Sequence, residues 1–396
     1  MIFLCTEDWY FWSHRMPVAR AARDAGFHVI VATRVQAHGE RLAAEGLDVR
    51  PLAWRRKGDG LLGSLRAILA IWRLYRRERP QLVHHIALKA VVFGALAAFL
   101  AGVPRQVNAI TGLGFIFVSK SLRSRLTRIA ILAALRLFVD RRGSHVVTHN
   151  PDDAGEITRR RAVRRERVSV IPGSGIDTGR FQPLPESPGA IIVAMVTRML
   201  RQKGIETFVQ AARLIHSRCP DIRFRLVGPV DLDSPDSLDE EELRRWERAG
   251  FLDWLGPVED VSSVWRDAHI AAFTSYREGL PLALLEAAAC GRPIVSSDVP
   301  GCREVVVTGV NGFLIAPDDA AAFADAIERL ARDPALRARM GREGRLRAER
   351  CFRKELIVEQ TLGIYGHLLG RPVLPESSDP AAKRFAAAPL LPTPSP

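Results

Sequence analysis

The chain lacks any pair of cysteines at metal or redox spacing. Cys5, Cys219, Cys290, Cys302 and Cys351 stand far apart, with no Cys-x-x-Cys and no histidine at ligand spacing. That argues against a zinc site and a thioredoxin-like centre, and it reads as reduced thiols. No G-x-G-x-x-G follows the first strand, residues 2–5, so dinucleotide binding is not expected at the amino end. Long apolar runs are missing too. Residues 87–103 are almost wholly apolar but are interrupted by Lys89, Gly94 and Gly102, and they read as a buried helix, so no transmembrane helix is expected. A strand beginning at Ile2 leaves no basic n-region, apolar core or cleavage site ahead of it; the expected location is the cytoplasm.

What the chain has is positive charge, unevenly placed. The 396 residues carry a net charge of +13. Residues 1–180 hold 30 Lys and Arg against 14 Asp and Glu, while the remainder holds 27 against 30. The surplus belongs to the first half, which suggests a polyanionic partner there, an anionic membrane surface or nucleic acid. Two basic amphipathic segments carry much of it. Residues 61–79 set Leu65, Ile68, Leu69 and Trp72 beside Arg66, Arg73, Arg76 and Arg77, and residues 119–142 interleave Lys120, Arg123, Arg125, Arg128 and Arg136 with leucine and isoleucine. Such helices suit the boundary between lipid headgroups and acyl chains; the alternative is a packed helix with a solvated arginine face. The run at residues 159–167 has no aromatics, which disfavours a single-strand nucleic-acid platform.

Length and pattern indicate an α/β protein of two domains. Strand and helix alternate from residue 2. After strand one, a polar and aromatic loop (Glu7, Asp8, Trp9, Tyr10, Trp12, Ser13, His14) precedes a helix. His14 has two readings, facing a cleft from that loop or sitting on the surface beside Arg15. The first domain spans residues 1–180, and a proline-bearing linker covers 181–189. A second βαβ series occupies 190–352, and a helix at 353–370 is placed to return to the first domain. The Pro, Ala and Ser content of 371–396 indicates a disordered tail.

The most informative stretch is residues 270–306, with the grammar strand, loop, helix, strand. Pro281 suits the first helical turn, and Gly291 and Pro293 stop the helix. Residues 275–280 then form a loop at the carboxyl end of a strand, where open α/β sheets bind ligands. Glu278 lies in that loop and Glu286 in the helix, among Leu282, Leu284, Leu285, Ala287, Ala288 and Ala289. A carboxylate so placed needs donors, and a sugar diol supplies two; the structural alternative is an N-cap or ion pair. Arg198 and Lys203 occupy another strand-to-helix loop, with Gly204 for the turn. Two such cations suit a diphosphate.

These motifs, VTRMLRQKGIETFVQAA followed by YREGLPLALLEAAACGRPIVSSDVPGCREVV, resemble the retaining GT-B glycosyltransferases of family four, including their Glu-x7-Glu motif at Glu278 and Glu286. HHIALKAVVFGALAAFLAGVPRQVNAITGLGFIF and VSVIPGSGIDTGRF resemble the branch that builds capsule and O-antigen polysaccharide on undecaprenyl-diphosphate carriers. The resemblance implies a GT-B fold, two facing Rossmann-like domains with an interdomain cleft, the donor in the second domain and the acceptor in the first. It implies that Arg198 and Lys203 neutralise the donor diphosphate, that Glu278 holds donor-sugar hydroxyls, and that Glu286 binds the ribose diol. Gly279, Leu280 and Pro281 would complete the donor side, and His14, Asn108, Thr111 and Gly112 the acceptor side. It implies no metal and no cofactor besides the donor nucleotide sugar, expected to be UDP-linked. The implied partners are a polyprenyl-diphosphate-linked glycan and an anionic membrane surface, with the enzyme peripheral on its cytoplasmic face; nucleic acid is not an expected partner. One departure stands out: many relatives place a His in the acceptor-side loop where this chain has Thr111. The alternatives are a GT-B nucleotide-sugar epimerase and a basic nucleic-acid-binding protein on an α/β scaffold.

Overall fold

The computed structural model describes residues 1–54, 60–119, 121–234 and 236–373. The tail assigned to disorder thus lies, from residue 374 onward, outside the described residues.

The first domain runs β1 (Ile2–Glu7), α1 (Asp8–Asp24), β2 (Ile30–Arg34), α2 (Gly39–Ala44), β3 (Asp48–Pro51), α3 (Gly60–Glu78), β4 (Val83–Ile86), α4 (Leu88–Ala101), β5 (Gln106–Ile110), α5 (Leu122–Ala134), β6 (Ser144–Thr148), α6 (Pro151–Arg159) and β7 (Val168–Val170). The second runs β8 (Ile191–Val196), α7 (Ile205–Arg218), β9 (Ile222–Val227), α8 (Glu240–Arg248), β10 (Leu252–Trp254), α9 (Val261–Asp267), β11 (Ile270–Phe273), α10 (Leu282–Ala289), β12 (Ile294–Ser297), α11 (Cys302–Val305), β13 (Gly312–Ile315), α12 (Ala320–Arg332) and α13 (Pro334–Cys351); α14 (Lys354–Leu369) follows.

Both sheets are parallel. Their strand orders are β3-β2-β1-β4-β5-β6-β7 and β10-β9-β8-β11-β12-β13. In each, the order reverses beside the first strand of the domain, which opens a crevice at the carboxyl edge between β1 and β4 and between β8 and β11. The strands read as short apolar runs because helices cover both faces; β1 is buried throughout, and so are β11 and β12.

One difference from the sequence reading concerns the first connection. Helix α1 begins at Asp8, directly after β1, so Trp9 to His14 belong to its first turns and not to a loop. The Asp8 carboxylate explains the abrupt start. It accepts from the Trp9 N–H at 2.7 Å and from the Gln36 and His38 N–H groups at 2.7 and 2.8 Å, tying the helix start to the segment after β2.

Helix α14 packs on the first domain. Ile357, Leu362, Ile364 and Tyr365 share one core with Phe3, Phe11 and Val107, and the Tyr365 hydroxyl bonds His84 Nδ1 at 2.5 Å. The crossing is pinned where Ile176 and Arg353 pair as a parallel bridge. Gly175 there has φ +74, and a Cβ on it would meet the Lys354 backbone. Tyr365→Ala should lower stability in urea unfolding by about 3–5 kcal/mol through the cavity it leaves, and Tyr365→Phe by about 1 kcal/mol for the lost hydrogen bond. Equal effects of the two would mean that the ring contributes no packing.

Candidate active site

The second-domain half of the site follows from strand order. Strands β8 and β11 are paired neighbours, so the loops leaving their carboxyl ends must run side by side. The loop after β8 carries Arg198, a 3₁₀ turn over Arg201–Lys203, and Gly204 at φ +66. A Cβ on Gly204 would overlap the Thr274 carbonyl oxygen at the end of β11, and the Thr274 hydroxyl donates to the Lys203 carbonyl at 3.2 Å. Pinned this way, Lys203 Nζ donates to Glu278 Oε1 at 2.5 Å, with both side chains largely buried. Arg198 donates to Asp231 Oδ2 at 2.5 Å, and its guanidinium lies 5.7 Å from the Trp9 ring of α1, across the cleft.

Glu286 sits in the second turn of α10, and Pro281 is the N-cap of that helix, one residue before the helical position expected for it. It is buried and accepts from Trp265 Nε1 at 3.3 Å. Desolvation pushes its carboxyl up to about 7, against the pull of that hydrogen bond and of Arg180. No hydrogen bond or ion pair joins Glu286 to Lys203 or Glu278 among the described residues.

The first-domain half is brought close at Gly279. A Cβ there would overlap the Thr111 carbonyl, and one on Gly112, at φ +144, would lie against the Gly279 backbone. Asn150 Nδ2 donates to the Gly279 carbonyl at 2.7 Å. Beside it, Arg277 forms an ion pair with the fully buried Asp153, which also accepts from Asn150 Nδ2 and the Leu113 N–H. Burial raises the Asp153 carboxyl in spite of Arg277. The Leu280 side chain packs on Gly173 of the first domain.

His14, on α1, stacks on Tyr10 (4.2 Å between centroids, 9° between planes), and its Nδ1 bonds Ser13 Oγ at 2.6 Å. Burial, then the fields of Arg15 and Arg198, hold its imidazole down to about 3. Asn108 departs from the acceptor-side assignment. It is fully buried and bonds His85 Nδ1 at 2.7 Å and Ser144 Oγ at 3.1 Å, and His85 continues to the Tyr75 hydroxyl at 3.1 Å. This polar network inside the domain uses the Asn108 amide and leaves the cleft wall at β5 to Thr111 and Gly112. Sequence reasoning did not find Asp231, Trp265, Asn150, Asp153 or Arg277; their roles depend on contacts between segments distant along the chain. The exception is Asn150, whose place before Pro151 and two aspartates marks a helix N-cap.

Two facing sheets of this topology, with cations, a carboxylate pair and glycine-only backbone approaches between their carboxyl edges, define a GT-B architecture. Residues 1–141 match the family model "Glycosyl transferase 4-like" and residues 190–333 match "Glycosyl transferases group 1", and the chain belongs to these glycosyltransferases. Among curated relatives, a Campylobacter jejuni N,N'-diacetylbacillosaminyl-diphospho-undecaprenol alpha-1,3-N-acetylgalactosaminyltransferase is 24% identical, over 93% of this chain and 98% of its own length. An Escherichia coli UDP-Gal:alpha-D-GlcNAc-diphosphoundecaprenol alpha-1,3-galactosyltransferase is 26% identical over 70% of this chain and 73% of its own. The Anabaena protein Alr3699/HepE, solved with UDP-glucose, superposes with a TM-score of 0.75 at 20% identity, covering 92% of this chain and 99% of that one.

Glu286 yields a pH signature. Its carboxyl titrates near 7 when folded and near 4.3 when unfolded, so between these values the folded state binds more protons. Stability is therefore expected to fall as pH rises through that window and to level off above it. Glu286→Gln should flatten this slope and be the more stable protein at pH 8, by roughly 3–4 kcal/mol at most. Parallel urea-midpoint profiles for the two proteins from pH 5 to 8 would refute the assignment.

Proposed function

We propose that this glycosyltransferase moves a sugar from a UDP-sugar to a polyprenyl-diphosphate-linked glycan, with retention at the anomeric carbon and without a metal ion, while docked on the cytoplasmic face of a membrane. The observation that carries the reading is the meeting of the Lys203–Glu278 pair and its Gly279 loop with the Thr111–Gly112 loop of the opposite domain. Donor cations and acceptor wall then face one another across a single backbone contact.

In this reading Arg198 and Lys203 hold the diphosphate, Glu278 takes donor-sugar hydroxyls, and Glu286 accepts from the ribose diol. The acceptor oxygen bonds to the anomeric carbon as the bond from that carbon to the β-phosphate oxygen breaks, and the acceptor proton passes to the departing phosphate on the same face. The two cations stabilise the charge that develops on the leaving group, the task a divalent ion performs elsewhere. The names of the Campylobacter and Escherichia relatives support the acceptor class, and the Escherichia name supports UDP.

Membrane docking is supported by what the basic helices leave uncovered. Helix α5 buries none of its side chains, and Leu122, Leu126 and Ile129 are 70, 59 and 56% exposed, with Arg123 and Arg125 exposed among them. On α3, Leu62 and Leu65 are 70 and 56% exposed beside Arg66. A soluble helix of this pattern would bury its leucines, each worth about 1.5–3 kcal/mol; lipid supplies the missing cover, and anionic headgroups match the arginines. No helix among the described residues is long and apolar enough to cross a membrane.

Transfer should be measured on a lipid-diphosphate-linked acceptor. Lys203→Ala and Glu278→Ala are expected to lower it about 10²–10³-fold, EDTA to leave it unchanged, and NMR of the product to show the donor's anomeric configuration. Full turnover by either variant would remove the site assignment. Replacing Leu122, Leu126 and Ile129 together by Ser should reduce sedimentation with anionic vesicles; undiminished binding would place the membrane contact elsewhere.

A further inference from the structure

Arg15 is a buried cation. It is 3% exposed, and no carboxylate lies within ion-pairing distance of it among the described residues. Its Nη2 bonds His149 Nε2 at 3.0 Å, and its Nε is buried with no partner. The imidazoles around it offer no negative charge: desolvation first, then proximity to Arg15, holds His84 and His149 well below their ordinary value. Glu7, at the end of β1, is engaged with Arg34 at 3.8 Å. Guanidinium cannot shed its proton, so a desolvated Arg without a counter-ion costs several kcal/mol. A protein keeps such a group where a ligand completes it.

Its position identifies the ligand side. His149, bonded to Arg15, precedes Asn150, and Tyr10 lies close to both Arg15 and Thr111. Thr111 and Asn150 are two groups of the first domain that touch Gly279. Arg198, facing Trp9 one residue before Tyr10, brings a second guanidinium to the same helix turn from the opposite domain. One guanidinium from each domain lies at helix α1, and the fields of both reach His14; such a pair suits an anion with oxygens on two faces, and a diphosphate has that form.

We propose that Arg15 is a diphosphate-binding residue on the first-domain wall of the cleft, with His149 holding its guanidinium in position. The inference rests on the reading of the cleft as a site for a nucleotide sugar and a lipid diphosphate, both of which carry the group.

The test measures binding of UDP and of farnesyl diphosphate to the full-length protein by calorimetry, with Arg15→Met and Arg15→Lys. Arg15→Met is expected to weaken one of the two by about 10- to 100-fold and to leave the ligand-free protein at least as thermostable as the parent, because an uncompensated buried charge is gone. Loss for farnesyl diphosphate assigns Arg15 to the acceptor, and loss for UDP to the donor. If Arg15→Met does not fold, Arg15→Lys, which keeps the charge without the fork, should still bind that probe severalfold more weakly. Binding of both probes within twofold of the parent by a folded variant overturns the proposal and spares the reading of the cleft. A parent protein that binds neither probe overturns both.

Discussion

Gly279 has room for backbone and nothing else. On one side is the Thr111 carbonyl of the first domain, on another the Asn150 amide that donates to its own carbonyl, and Gly301, at φ +80, lies against that same carbonyl from within the second domain. Three segments from two domains thus approach within van der Waals distance of one peptide unit. Everything ascribed to the cleft depends on this, since the loop that carries Gly279 also carries Glu278, and Glu278 holds Lys203. The buried Arg277–Asp153 ion pair makes the junction resistant to sliding, because separating it would leave a charge stranded in the Asp153 site.

The electrostatics of the two walls differ in kind. On the second-domain wall each cation has a carboxylate within reach, Lys203 with Glu278 and Arg198 with Asp231. A ligand anion there joins existing pairs, and the carboxylates can turn toward sugar hydroxyls as the cations turn toward phosphate. On the first-domain wall Arg15 bonds the imidazole of His149 and has no carboxylate at ion-pairing distance among the described residues, and His14 is held down to about 3. The walls therefore divide the work, one ready to exchange partners and the other holding uncompensated charge. Glu286 is the mirror case, a carboxyl whose burial raises it to about 7 and which a pair of hydroxyl donors would return to the ionised form.

Much of this was legible in the chain. The α/β class and the two sheets follow from the short apolar runs and their spacing, and the strand, loop, helix, strand order around Glu278 from Pro281 and Gly291. Local signals of this kind depend on residues a few positions apart. The start of α1 was not legible, because Asp8 ties it to the segment after β2 by accepting from the Gln36 and His38 N–H groups, and a polar, aromatic segment reads as a loop without that contact. Asn108 misled for a related reason. Four residues before Gly112 it reads as part of the loop, yet it lies within β5 and its amide is used by His85 and Ser144 on neighbouring strands. Arg15 was visible only as one basic residue among many, since the absence of an acid around it is a property of the packed domain.

Thr111 bears most directly on the chemistry. Its hydroxyl cannot serve as a base at neutral pH, and the titratable groups around it are ill suited to that task. His14 is neutral, but the nitrogen the structure shows engaged, Nδ1, bonds Ser13, and its affinity for a proton is far reduced. Tyr10 is raised above the ordinary phenol value by burial, and Glu278 is occupied by Lys203. A proton leaving an acceptor hydroxyl at this wall would find its strongest taker in the phosphate oxygen exposed as the donor bond breaks. On the proposed retaining route orientation and charge stabilisation would carry the reaction, and a threonine in place of an imidazole would remove nothing that such a route needs.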